Sequence, residues 1–305
     1  MITAAKGHVE KRTMQGSTIE HLQAPPLNPL NRNVLIVGAS GCGKSTLQRL
    51  VEKQEQPALK LIFKEDGEKS FSIAKNRPFI EKDKVNFVDS WKTSKQTDSI
   101  GYMLSQEQLF IEEARREGDN LAELRHRIRK AQEKAERIDL PIWQLIESRL
   151  THLYPSAPKE TRSTGKISMA ELTEDEYIFF SDYILRNQYD ELLNQIISID
   201  EIHRLKPLMP QTIGRITREI RSRGGLIATS QSLTDLPPNL INNFGTIFQF
   251  QTIDRNDLEY LELVDEQLKQ DILTLEDHEF IEIRTYPRLV VEGNRYKMVI
   301  QGVIK

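Results

Sequence analysis

The chain has 305 residues, a mass of 35.3 kDa, 29% charged residues and a net charge of -3 at pH 7, enough for one large domain or two small ones with a sizeable core. The near-neutral balance excludes a global basic footprint, so any nucleic-acid contact rests on a local patch or on a ring of subunits. Its single cysteine, Cys42, excludes an internal disulfide and a cysteine zinc cluster, and the lack of a secretory signal or a bilayer-length apolar run points to a cytoplasmic protein without a membrane span.

Residues 1–30 read as an N-terminal extension whose end, with Pro25, Pro26 and Pro29, is linker-like. Val34 to Val37 is a short β-branched run, read as a buried strand. Gly38-Ala39-Ser40-Gly41-Cys42-Gly43-Lys44-Ser45 then fits the phosphate-loop pattern G-x-x-x-x-G-K-[ST] without a mismatch, and Thr46 to Leu50 opens a helix. Strand, glycine loop and helix form the context this chemistry needs. Glycines let the backbone wrap around phosphate with its N–H groups pointing inward, and the helix N-terminus adds partial positive charge. Gly38, Ser40, Gly41, Cys42, Gly43, Lys44, Ser45 and Thr46 are therefore the expected nucleotide-binding residues. Lys44 is expected to reach the β- and γ-phosphates, and Ser45 to bind Mg²⁺.

Between Lys69 and Gly165 the pattern changes. Leu121, Leu124, Ile128, Ala131, Ala135 and Ile138 recur at three and four, a short heptad stripe with charged residues on its other faces. Ile142 to Leu153 reads as a second amphipathic helix after Pro141, which predicts a helical hairpin, and Tyr154 to Gly165 reads as a loop. The charged faces are ordinarily solvated; the sharper reading is an arm that touches DNA or a partner. Trp91 and Trp143 are assigned to core.

Gln195 to Ile199 is an apolar strand ending in Asp200 and Glu201, the pattern of a Walker B strand. Asp200 is expected to hold Mg²⁺ and Glu201 to polarise the attacking water, and the second acid favours ATP hydrolysis over a nucleotide switch. His203 is assigned to a helix-side contact, because no second His or Cys shares its spacing. Gln211 to Arg223 carries Arg215, Arg218, Arg221 and Arg223 at helical spacing, either as an arginine finger for a neighbouring subunit or as solvated partners of acids such as Glu219. Gly225 to Gln231 is a third strand, and Gln231 at its end is the expected γ-phosphate sensor.

The runs IISIDEIHRL, ITREIRSRGGLIATSQSLTDLP and INNFGTIFQF, in this order after the phosphate loop, resemble the FtsK–HerA group of DNA-pumping ATPases, HerA-like proteins above all. Lys60 to Glu68 resembles the family's strand after the phosphate-loop helix, and Lys166 to Leu172 and Asp175 to Tyr189 resemble the strand and helix that precede its Walker B, so the resemblance covers about two thirds of the chain, Asn31 to Glu68 and Lys166 onward. It implies a RecA-like α/β P-loop fold: a central, mostly parallel sheet flanked by helices, built from residues 31–68 and 166–305 and interrupted by a mainly helical insertion at 69–165. It also implies catalytic roles for Glu201, Gln231, Arg218 and Arg221, ATP and Mg²⁺ as cofactors, a homo-oligomeric, hexameric ring and DNA in its pore, hence a translocase or helicase. HerA proteins begin with a β-barrel that docks a nuclease, and residues 1–30 do not accommodate one. The alternative is an ATPase scaffold of a defence or mobile-element complex, in which ATP gates assembly with an effector protein.

Overall fold

In the computed structural model, residues 7–12, 19–64, 70–72, 121–137, 140–141, 143–144, 147, 165–221, 223–285 and 294–300 are described. In chain order the elements are β1 (Gly7–Arg12), β2 (Ile19–Leu22), β3 (Val34–Val37), α1 (Lys44–Glu55), β4 (Leu59–Ile62), β5 (Phe71–Ser72), α2 (Leu121–Lys134), β6 (Gly165–Ser168), α3 (Glu174–Asn187) and α4 (Tyr189–Leu192). There follow β7 (Ile196–Ile199), a 3₁₀ segment (Ile202–Leu208), a π turn (Met209–Ile213), α5 (Gly214–Ile220), β8 (Gly225–Ser230), α6 (Pro238–Ile241), β9 (Thr246–Phe250), α7 (Arg255–Val264), α8 (Glu266–Leu273), β10 (Glu279–Arg284) and β11 (Arg295–Ile300). The chain divides into two compact units, one of residues 1–69, 164–166 and 189–305, the other of 70–163 and 167–188. Residues 167–188, which the sequence placed with the core, thus fall in the second unit.

In the first unit the strand order is β2-β1-β11-β10-β9-β3-β8-β7-β4. β9, β3, β8, β7 and β4 pair in parallel. Every residue of β3, β4, β7, β8 and β9 is buried, as expected for strands covered on both faces. β10, β11, β1 and β2 continue the sheet antiparallel. Residues 1–30 are therefore not only an extension and linker. Val9 has no exposure, and β1 pairs along its length with β11, a partner at the far end of the chain that local pattern does not reveal.

Helix α1 buries Lys44, Leu47, Gln48 and Val51, one stripe at helical spacing. It ends at Gln56, which is left-handed with φ 51° and precedes Pro57. Leu47 and Val51 pack with Val34, Ile36, Ile227 and Phe248 into one core. Phe280 stacks on Tyr296 at 5.2 Å and meets Phe248 edge-on at 5.4 Å, so the antiparallel strands share that core. Beneath the sheet ends, Asn33 ties three segments: its Nδ2 donates to the Thr217 and Asn243 carbonyls (2.7 and 2.9 Å), and its Oδ1 accepts from Leu226 N (3.0 Å).

In the second unit β5 pairs in parallel with Ile167 and Ser168 of β6. Thr173 caps α3 in a capping box with Glu176, and Ile178 to Phe180 of that helix are buried. On α2, Ile128 is fully buried, Gln132 Nε2 donates to the Trp143 carbonyl at 3.0 Å, and Arg129 Nε donates to Glu147 at 2.7 Å. Trp143 is 7% exposed. Most of the second insertion helix, the 154–164 loop and Trp91 lie outside the described residues. Among the described residues no helix is long and apolar enough to cross a membrane.

Candidate functional site

The sheet brings the ends of β3, β4, β7 and β8 side by side, and the residues that follow them form the site. Gly38 to Gly43 links β3 to α1. A Cβ on Gly38 would lie 2.7 Å from Phe250 Cβ and 2.8 Å from Cys42 Sγ. Gly43 has φ +112°, and a Cβ there would collide with Met298 Cε. Gly38 requires glycine for space beside the fixed Phe250 Cβ; at Gly43 the Met298 methyl can move, and the backbone conformation is what requires glycine. Lys44 is 7% exposed and donates to the carbonyls of Gly38 (2.5 Å) and Ala39 (2.9 Å). These bonds use two of its three N–H groups and hold the ammonium against the loop.

A polar strap fixes the helix behind the loop. Gln48 Nε2 donates to Ser198 Oγ (3.0 Å), Ser198 Oγ to Glu52 Oε1 (2.5 Å), and Lys60 Nζ to Glu52 Oε2 (2.9 Å). It joins α1, β4 and β7. Both members of the Lys60–Glu52 pair are largely buried, with side-chain exposures of 6% and 10%, so their mutual pairing and the added hydrogen bonds are what make that burial tolerable.

At the end of β7, Asp200 N donates to Leu61 O (3.0 Å). One hydroxyl then sets both acids: Thr229 Oγ1 donates to Asp200 Oδ1 (2.9 Å) and accepts from Glu201 N (2.8 Å). Glu201 itself is left-handed, with φ 50° and ψ 52°, a conformation that costs about 1–3 kcal/mol for a non-glycine residue and persists where its surroundings over-determine it. Its carboxylate is 4% exposed as a residue and fully engaged: Lys64 Nζ donates to Oε1 (2.6 Å), Gln231 Nε2 to Oε2 (3.1 Å), and His203 Nε2 lies 3.3 Å from Oε2. Burial pushes the Glu201 carboxyl up, but the bonds from Lys64 and Gln231 and the charges of Lys64 and His203 outweigh it. The result is below the ordinary 4.5. Burial also lowers His203, against the pull of Glu201 and Asp235.

The structure therefore brings together Lys64, Asp200, Glu201, His203, Thr229 and Gln231. His203 sits beside a site residue, with Nδ1 3.5 Å from Ser230 Oγ, and not merely along a helix side. Lys64 and Thr229 escaped the sequence reading. Lys64 follows an ordinary apolar strand, and Thr229 lies within one; only the adjacency of β4, β7 and β8 gives them a role.

The arginines stand apart. Residues 202–213 are a 3₁₀ segment and a π turn, so regular helix begins only at Gly214. Arg215 pairs with Glu219 (3.1 Å) and lies 4.1 Å over the Tyr189 ring, the local partnership weighed against the finger reading. Arg218 is exposed on α5 and Arg221 half-buried at its end. Among the described residues no hydrogen bond joins Arg218 to Lys44, Asp200 or Glu201.

The donor set fits a hard divalent cation. Ser45 is exposed at the start of α1 and offers a hydroxyl. Asp200 has one oxygen taken by Thr229, while among the described residues no hydrogen bond claims Oδ2. A hydroxyl and one carboxylate, completed by phosphate oxygens and water, is the oxygen environment Mg²⁺ prefers. Cys42 is the one thiol nearby, and burial raises it above its usual range.

No protein-family model matches the chain, and no curated protein matches it in sequence. Solved structures do match. VirB4 of Thermoanaerobacter pseudethanolicus superposes with a TM-score of 0.65 at 15% identity, over 98% of this chain and 97% of that one. The bacterial conjugative coupling protein TrwBdeltaN70 superposes with a TM-score of 0.55 at 13% identity, over 91% of this chain and 85% of that one. The chain shares with these structures the RecA-like P-loop fold, a mostly parallel sheet flanked by helices.

Proposed function

We propose that this chain is an ATPase of the FtsK–HerA type, working as a homo-oligomeric ring that couples hydrolysis to movement along DNA. The observation that carries the reading is the convergence, at adjacent strand ends, of a complete phosphate loop, Asp200 and a buried Glu201 bonded to Gln231.

The loop N–H groups and Lys44 bind and orient the triphosphate. Ser45 and Asp200 would hold Mg²⁺, which when bound neutralises charge on the phosphate oxygens. Glu201 takes a proton from water as the water oxygen bonds to the γ-phosphorus. The bond from that phosphorus to the β–γ bridging oxygen breaks, and its electron pair leaves with ADP. To do this Glu201 must give up a bond it holds here, because a carboxylate with depressed proton affinity and every oxygen engaged is a poor base. Gln231, within reach of Glu201, is placed to report on the γ-phosphate. Arg218, exposed and outside its own site, is assigned to the neighbouring subunit's site. The fold shared with a conjugative coupling protein supports DNA as the substrate of motion.

The test is ATP hydrolysis by the purified chain with and without duplex DNA, beside Glu201→Gln. Stimulation by DNA that disappears in the variant is expected, with a turnover loss of about 10²–10⁴-fold. Glu201-dependent hydrolysis indifferent to DNA would overturn the motor and leave a scaffold that ATP gates for a protein partner.

A further inference from the structure

Three side chains wall the phosphate loop: Phe250 of β9 beside Gly38, and His278 and Met298 from the antiparallel end of the sheet beside Gly43. His278 stands in the turn that opens β10. It has φ +65°, a region that histidine visits far less readily than glycine or asparagine. Two contacts hold it there. Its carbonyl accepts from Met298 N at 3.1 Å, which ties the turn to β11. Its ring Nδ1 lies 3.1 Å from the Cys42 carbonyl oxygen. A carbonyl oxygen can only accept, so Nδ1 carries the hydrogen and donates.

We infer that His278 is a positioning residue for the nucleotide phosphates, holding the Cys42–Gly43 peptide so that the Gly43 N–H faces the anion. In a trans peptide the C=O and the following N–H point in opposite directions. Anchoring the Cys42 oxygen toward β10 and β11 turns the Gly43 N–H to the opposite side of the chain. That peptide leads into Gly43, the N-cap of α1, where the loop N–H groups and the helix N-terminus converge. The loop's own bond nearby, Cys42 N to Ala39 O at 3.4 Å, belongs to the preceding peptide and does not hold this one. Gly43, with φ +112°, has the freedom to rotate away, and Met298 Cε occupies the space beside its Cα. His278 and Met298 thus restrain a peptide that Gly43 leaves free to turn. The turn at His278 and strand β11 thereby become part of the nucleotide site, although more than 230 residues separate His278 from Cys42.

This inference rests on the nucleotide site proposed above. The experiment uses the full chain and measures dissociation constants for Mg·ATP and Mg·ADP by calorimetry, with melting temperature in the absence of nucleotide and turnover at saturating ATP. His278→Phe keeps a ring but removes the donor, whereas His278→Asn keeps an N–H donor at the same number of bonds from Cβ as Nδ1. Both carry a Cβ at the same φ, and any difference in backbone cost between them is read by nucleotide-free melting. Phe is expected to weaken ATP and ADP alike by about three- to tenfold, the range of one net hydrogen bond, with kcat near wild type and nucleotide-free melting unchanged. Asn is expected to recover most of the loss. Should the Phe variant fail to fold, His278→Leu replaces it: leucine has the branched shape of asparagine and no donor. Affinity within twofold of wild type in the donor-less variant overturns the inference. So does equal weakening in the donor-less variant and Asn accompanied by lower melting, which marks a packing role. A wild-type chain that binds neither nucleotide removes both this inference and the site it rests on, whereas wild-type binding with an indifferent variant removes only the role of His278.

Discussion

Replacing Lys64 with Met removes the ammonium from Glu201 Oε1, 2.6 Å away, and keeps the length of the side chain. The two partners differ in exposure: 48% for the Lys64 side chain and 6% for that of Glu201. Wholly exposed pairs contribute about 0.2–1 kcal/mol, and breaking a buried pair costs about 3–5 kcal/mol. Here solvent reaches the lysine, and Gln231 and His203 continue to satisfy the carboxylate. The coupling between Lys64 and Glu201 is therefore expected near the exposed limit, about 1 kcal/mol. A double-mutant cycle of Lys64→Met and Glu201→Gln, read by denaturant unfolding, measures it. The pH dependence has a definite sign. Glu201 titrates below 4.5 in the folded chain, so the coupling is fully present above 4.5 and is lost as pH falls through the lowered folded value. The kinetic consequences follow from the same bond. Without Lys64 the carboxylate holds protons more tightly, so the acid limb of the turnover profile moves to higher pH. One oxygen is also freed for water, so turnover without DNA rises by a few-fold. A coupling indistinguishable from zero at pH 7, or one that persists undiminished in acid, would refute the reasoning, as would an unmoved acid limb.

Gly43→Ala forces a Cβ onto Met298 Cε at φ +112°; nucleotide affinity should fall more than about tenfold, and adding Met298→Ala should restore only part of it, because the backbone strain remains. Asn33→Ala removes three hydrogen bonds from a residue with no exposure; at roughly 1 kcal/mol each it should cost about 3 kcal/mol, and thermal unfolding that shows under about 1 kcal/mol would contradict the three-way tie. Mixing Arg218→Ala subunits with Glu201→Gln subunits should restore some hydrolysis if Arg218 completes a neighbour's site, and no recovery at any ratio removes that assignment. Asp254 caps α7 through Asn256 N and Asp257 N, so Asp254→Ala should destabilise by about 1 kcal/mol, measured by thermal melting.

Much of the site was legible because its chemistry is written contiguously. Gly38 to Ser45 needs closely spaced glycines so that backbone, not side chains, binds phosphate, and Asp200 and Glu201 follow directly on an apolar strand. The core strands were legible for the same reason: four- to six-residue buried runs in a parallel sheet leave an unbroken apolar signature. What surrounds those residues was decided by strand order. Lys64 becomes a partner of Glu201 because β4 lies next to β7, and Thr229 bridges Asp200 and Glu201 because β8 lies on the other side of β7. The end of residues 1–30 reads as a linker because of Pro25, Pro26 and Pro29; β1 becomes sheet only by pairing with β11, and β2 by pairing with β1. His278 and Met298 carry no motif and reach the phosphate loop only through the antiparallel end of the sheet. A hydrogen bond between neighbouring strands leaves no period in the sequence, whereas a loop that must wrap an anion does, and this difference separates what sequence alone determined here from what tertiary structure decided.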